Sequence, residues 1–132
     1  MLTIHLPWQP QAQVSPNARN STRNRLDHHR DNRGIAALAV RSHMAREHTL
    51  WVVPEHPAMD ITVYWGKNRN RWDLDNILSA CKGIIDGVTR ELGFDDRRFV
   101  AFTVAQSRDP DRLGYTSVTI REATPDELRR AA

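Results

Sequence analysis

Between Trp65 and Val100 a strand-like run ends in cations and acids, and apolar residues at helical spacing follow directly. The stretch reads W-G-K-N-R-N-R-W-D-L-D-N-I-L-S-A-C-K-G-I-I-D-G-V-T-R-E-L-G-F-D-D-R-R-F-V, and it constrains the fold more than any other segment. The spacing predicts a helix from about Asn76 to Leu92, with Asp75 as cap and Gly93 as terminator. Ile77, Leu78, Ala80, Cys81, Ile84, Ile85, Val88 and Leu92 form its apolar back. At about 100° per residue, Asp75, Ser79, Lys82 and Asp86 fall within roughly 60° of one another on the front. Asp73 stands two residues before Asp75 in extended chain, where alternate side chains face the same way. Beyond Gly93 the chain turns, so Asp95 or Asp96 can return towards the first pair.

Three carboxylates in one place repel unless something neutralises them. Mg²⁺ does so through one or two carboxylates, completed by waters and substrate phosphate oxygens, and it supports phosphoryl chemistry by activating water and stabilising charge. Taken singly, each residue has a plainer role: Asp75 as a cap, Lys82 with Asp86 as an exposed i, i+4 pair, Asp95-Asp96 as a turn. As a set, beside cations, they point to a metal site acting on a phosphate backbone.

At these residues the chain resembles the RusA-type Holliday junction resolvases. The resemblance rests on Asp73-Leu74-Asp75-Asn76, on Lys82 with Asp86 four residues later, and on Asp95-Asp96 after a glycine. It covers about Asn68 to Val100, with a thinner match at the L-P-W-Q-P opening. It implies a Mg²⁺-dependent endodeoxyribonuclease, with Mn²⁺ as substitute, and no other cofactor. It implies a homodimer that binds four-way DNA junctions and cuts symmetrically paired strands in recombination and repair. The family's catalytic acids map to Asp73, Asp75 and Asp96, with Asp95 as the alternative third ligand. The family lysine lies three residues after the Asn, where this chain has Ser79. Lys82 stands nearly one turn further along the same face, about 4.5 Å away, and is taken to replace it. The competing readings are a non-catalytic structure-specific DNA-binding protein and a general flap or RNA nuclease using the same acids.

The cations are consistent with this. Lys67, Arg69 and Arg71 alternate into Asp73 and are expected to hold DNA. Residues 11–33 are nearly devoid of apolar side chains, and Arg19, Arg23, Arg25, Arg30 and Arg33 face only Asp27 and Asp31. That composition predicts a long mobile basic loop tracking phosphates, with Arg19, Arg23 and Arg25 as further DNA contacts. The histidines His28, His29, His43, His48 and His56 lack the spacing and the cysteine partners of a zinc site. Trp72 is expected to pack on the core rather than stack on a base.

A chain of 132 residues with 39% hydrophobic content predicts one domain with a modest core. Net charge is +3, so the distribution of cations matters more than their total. Cys81, as the single cysteine, excludes an internal disulfide and suits a reducing compartment. It falls on the apolar side of the helix and is expected to be buried and inert. With no membrane-length apolar run and no signal peptide, a cytoplasmic protein of a bacterium or phage is expected.

Strands are predicted at Met1–Trp8, Met59–Trp65, Phe99–Gln106 and Tyr115–Glu122, the last two as an antiparallel hairpin. A helix is predicted over Gly34–Glu47, and a short one after Thr124-Pro125 in a peripheral tail of about residues 123–132. The expectation is a RusA-like α+β domain over residues 1–132, with helices packed against a small mixed β-sheet.

Overall fold

The alternation from Met59 to Trp65 places four large apolar side chains on one face, and that face is the floor of the core. Strand β2 (Pro57–Trp65) carries them, with Met59, Ile61, Val63 and Trp65 all buried. The computed structural model describes residues 1–11, 14–15, 22–47, 50–67, 69–111 and 113–132. In chain order its elements are β1 (Leu2–Leu6), α1 (Thr22–Glu47), β2, α2 (Leu74–Ala80), α3 (Lys82–Leu92), a 3₁₀ turn (Asp96–Arg98), β3 (Ala101–Arg108), β4 (Tyr115–Glu122) and α4 (Pro125–Ala131). The result is a small α+β domain with a four-stranded mixed sheet and helices packed against it. Among the described residues no helix is long and apolar enough to cross a membrane.

The sheet order is β1-β4-β2-β3. Strand β4 runs antiparallel to both β1 and β2, whereas β3 runs parallel to β2. The expected β3–β4 hairpin is therefore incorrect, because β2 lies between the two strands. The reason is the crossover. Helices α2 and α3 carry the chain back to the start of β2, and a strand entered that way pairs in parallel. The connection to β4 then crosses the end of β2. Asp109 ties it there, its N–H donating to the Trp65 carbonyl at 3.0 Å while its buried carboxylate accepts from the N–H groups of Asp111 and Gly114.

Helix α1 also departs from expectation. It begins at Thr22, so residues 22–33 are helical rather than part of a loop. The helix hides its seam where the sequence is polar. Asn32, Ala36 and Val40 recur at i, i+4 and i+8 and are buried, and Asn32 Oδ1 accepts from Trp8 Nε1 at 3.0 Å. A count of apolar residues passes over a buried asparagine. Arg23 and Arg25 thus sit on the first turns of a helix, and Arg19 lies outside the described residues.

The single helix expected from 76 to 92 is divided at Cys81, where φ is −81° and ψ is 1°. The Cys81 N–H is shared between the carbonyls of Ile77 and Leu78, both at 3.1 Å, a tightening usual at helix ends. Asp73, not Asp75, occupies the cap position of α2, in extended backbone and with no capping bond from its side chain. Gly93 ends α3 with φ at 84°, as its position foretold. At α4 the expected cap is present in full: Thr124 Oγ1 accepts from the Glu127 N–H, and Glu127 Oε1 accepts from the Thr124 N–H.

Candidate functional site

Two glycines set the site's dimensions. Gly83 and Gly87 face α1 one turn apart on α3. A β-carbon on Gly83 would stand 2.4 Å from the carbonyl oxygen of His29, and one on Gly87 equally close to that of Arg33. Bare Cα positions let the two helices meet backbone to backbone. That approach brings the side chains of His29 and Arg33 from α1 against Lys82 and Asp86 from α3.

A cleft of about 220 Å³ opens along this seam, lined by Leu26, His29, Arg33, Lys82, Gly83, Asp86 and Asp96. Lys82 and Asp96 also line a neighbouring hollow with Leu78, Ile85, Arg97 and Phe102. The expected lysine and one expected acid are thus neighbours across α3 and the 3₁₀ turn. Leu78 of α2 forms part of that hollow's wall, whereas Asp75, three residues earlier on the same helix, lines neither cleft. Asp73 precedes that helix in extended chain.

The acids divide by their partners. Asp86 is neutralised, with Oδ2 3.6 Å from Arg33 Nη1 and Oδ1 3.2 Å from Arg90 Nε. Asp95 is consumed as a cap. Its carboxylate accepts from the Arg97 N–H at 2.9 Å and from the Arg97 guanidinium at 2.8 Å. These hydrogen bonds hold its carboxyl down to about 2. Among the described residues Asp73, Asp75, Asp96 and Lys82 make no ion pair. Of the adjacent Asp95 and Asp96, only Asp95 makes an ion pair among the described residues, and only Asp96 lines the clefts.

The donor chemistry suits a hard cation, since the candidate ligands are all carboxylate oxygens. Among the described residues no three His, Cys, Asp or Glu side chains stand together as a ready-made metal-holding group. Mg²⁺ asks for less, taking one or two carboxylates with water and substrate oxygens as the remaining ligands. Of the three expected ligands the structure brings Asp96 into the clefts with Lys82, while Asp73 and Asp75 stand at the start of α2.

The expected DNA-holding cations separate as well. Lys67 and Arg71 are exposed. Arg69 turns inward, where its guanidinium donates to the Pro10 carbonyl and lies 5.3 Å from the centre of the Trp65 ring. That role is structural. Trp72 packs on the core as expected, 5.7 Å from Trp65, and its backbone exchanges hydrogen bonds with the Gln106 side chain. Cys81 is buried, and desolvation pushes its thiol up to about 12, which leaves it inert.

Sequence reading set His29 aside as a zinc ligand, placed Arg33 in a basic loop and gave Phe102 no site role. His29 is half-buried with its Nδ1 unpaired. Burial first, then Lys82 and the cations of α1, lower its pKa, so the imidazole is neutral near pH 7. The close Gly83-x-x-x-Gly87 spacing was the one signal that a second helix would press on this face.

No family model matches the chain. It is similar to a protein of Xylella fastidiosa (strain Temecula1 / ATCC 700964) described as an uncharacterized protein, at 30% identity over 125 residues that cover 94% of this chain and 78% of that one.

Proposed function

We propose that this chain, which belongs to one family with the Xylella fastidiosa protein, is a Mg²⁺-dependent, structure-selective DNA endonuclease of the RusA type. The observation that carries the reading is Lys82, which makes no ion pair among the described residues and shares a cleft with Asp96. Asp73, Asp75 and Asp96 are the residues to hold Mg²⁺ or Mn²⁺. When bound, the metal supplies an activated water and offsets charge on the phosphate. Lys82 places an ammonium group where negative charge accumulates on the phosphate oxygens. Exposed Lys67 and Arg71 hold the flanking backbone, and Arg23 and Arg25 on α1 extend the basic surface. The substrate is a four-way DNA junction. The working form is a homodimer, since two equivalent strands need two equivalent sites. The setting is the cytoplasm, in recombination and repair.

A second reading has one observation in its favour. Among the described residues the acids are not gathered into a closed metal group, as in a junction-binding protein without chemistry. Strand cleavage of a synthetic four-way junction, with linear duplex and flap controls, in Mg²⁺ or in EDTA, separates the two. Paired, symmetry-related nicks on the junction alone, only with metal and lost in Asp75→Asn, are the expected result. Tight metal-independent binding without product would establish the binder. Equal cutting of all substrates would keep the acidic site and discard junction selectivity.

A further inference from the structure

The hollow beside the proposed catalytic cleft is apolar inside and charged at its rim. Its volume is about 320 Å³, and Leu78, Ile85 and Phe102 line it together with Lys82, Asp96 and Arg97. Phe102 is the unusual member. It sits on β3, which pairs with β2 alone and so forms one edge of the sheet, and it is 39% exposed. Large aromatics normally go inside. Phe102 instead closes a row of three phenylalanines. Phe94 and Phe99 stand 5.4 Å apart between ring centres, and Phe99 and Phe102 stand 5.1 Å apart. The two rings behind it fix its orientation, so its outer face is presented rather than loosely exposed.

Two cations, Lys82 and Arg97, and one acid, Asp96, stand at the rim. Lys82 makes no ion pair among the described residues. Arg97 is ion-paired with Asp95 through Nε and Nη2, which orients its guanidinium at the rim. The one acid at the rim, Asp96, is the acid assigned above to the metal. A flat aromatic shelf, an aliphatic floor of Leu78 and Ile85, and cations at the rim match a nucleotide drawn out of its stack, with base on ring and phosphates on cations.

We propose that this hollow receives one unstacked nucleobase, next to the phosphate placed at Asp96 and Lys82. The proposal rests on the reading that the chain acts on DNA, and it adds a subsite to it. Bases at a branch point, a nick or a single strand are already partly unstacked and cost little to extrude. A pocket that demands such a base selects for distorted DNA without reading a sequence. It gives the domain a means of preferring branched over linear substrate within one protomer.

The test uses the whole chain in EDTA, so that it reads binding without chemistry. Two fluorescent single strands serve as probes, an oligothymidylate and an abasic sugar-phosphate oligomer of equal length. The expected result is tighter binding of the oligothymidylate, by roughly 5- to 100-fold from one stacked base. Phe102→Ala should bring its affinity down to the abasic level while leaving the abasic affinity unchanged. Phe102→Leu keeps the apolar bulk and the fold but removes the aromatic face, and it should lose most of the preference too. Equal affinity for the two strands in the wild type would overturn the proposal, as would a preference that survives both substitutions. A change in self-association on Phe102→Ala with the preference intact would assign the ring to a contact between copies and likewise overturn it. Cleavage is absent from every arm. An inactive protein with a base preference would sink the nuclease reading alone, and an active one without the preference would sink the pocket alone.

Discussion

The carbonyl oxygen of Arg33 lies over the bare Cα of Gly87, 2.4 Å from where a β-carbon would stand, and Ala36 Cβ is 2.9 Å from the same point. Neither neighbour is a flexible side-chain end, so a methyl group there must push the helices apart. Gly87→Ala is expected to destabilise the fold by about 1–3 kcal/mol through overpacking, and to weaken cleavage because the α1 and α3 walls of the cleft separate. Gly34 supplies the control. It lies within α1 and an added β-carbon meets nothing within 4 Å. Gly34→Ala should stabilise by about 0.5–1 kcal/mol, since glycine is a poor helix residue. Urea midpoints of the two variants should move in opposite directions. Movement the same way would mean that the α1–α3 contact is looser than described.

Asp95 and Asp96 are adjacent, yet their surroundings assign them different work. Asp95 caps the 3₁₀ turn and is bound by Arg97. Asp96 lines both hollows with Lys82. Asp96→Asn is expected to lower metal-dependent turnover by two orders of magnitude or more, since a metal ligand or charge-stabilising group is lost. Asp95→Asn should leave turnover within several-fold. Single-turnover cleavage in saturating Mg²⁺ measures both. The reverse order of effects would transfer the metal role to Asp95.

The particular residues show where sequence reading reaches and where it stops. Period-two alternation in Met59–Trp65 marked β2 and its buried face, because each alternate residue is apolar. Thr124 and Pro125 announced α4, since a capping box is a local hydrogen-bond pattern that no distant contact alters. The start of α1 was hidden because its buried seam runs through Asn32, whose partner is Trp8, 24 residues earlier. The position of β3 was hidden for a related reason. Its alternation specifies a strand but not a neighbour, and the partner is chosen by the crossover through α2 and α3. At the candidate site, local spacing singled out Lys82 and left Asp95 and Asp96 as alternatives, of which the structure brings Asp96 into a cleft with Lys82. It could not show that Arg33 would take Asp86 or that Arg97 would take Asp95, since ion pairing depends on the finished packing.

Arg121 joins β4 to its surroundings through two acids, reaching Asp60 Oδ2 at 2.9 Å and Glu127 Oε1 at 2.7 Å. The Arg121 side chain first, then the Thr124 N–H, holds the Glu127 carboxyl down to about 2, from an ordinary 4.5. A carboxylate with a depressed folded pKa contributes stability that is present above its unfolded value and lost as pH falls through the folded one. Stability should therefore decline between about pH 4.5 and pH 2 as Glu127 takes up its proton. Glu127→Gln should flatten this decline while lowering stability at neutral pH. Thermal midpoints across that range provide the comparison, and an unchanged acid slope would mean that the Arg121 link adds nothing.

His29 offers a direct check that α1 and α3 face each other as described. Its pKa lies below the usual 6.5, from burial first and from Lys82 second, with Arg25, Arg33 and His28 adding smaller amounts. A histidine whose folded pKa is lowered favours the native state in its neutral form. Its contribution is present above 6.5 and is lost as pH falls through the folded value. Lys82→Gln removes one positive charge but leaves the burial in place. The His29 ring resonance, followed by proton NMR from pH 4 to pH 8, should then titrate at a higher pH than in the wild type, yet still below the usual histidine value. Raising the salt concentration should shift the wild-type value in the same direction by a smaller amount, since Lys82 is exposed and its field is screened. A His29 midpoint indifferent to Lys82 would separate the two side chains, and with them the shared cleft on which the site assignment depends.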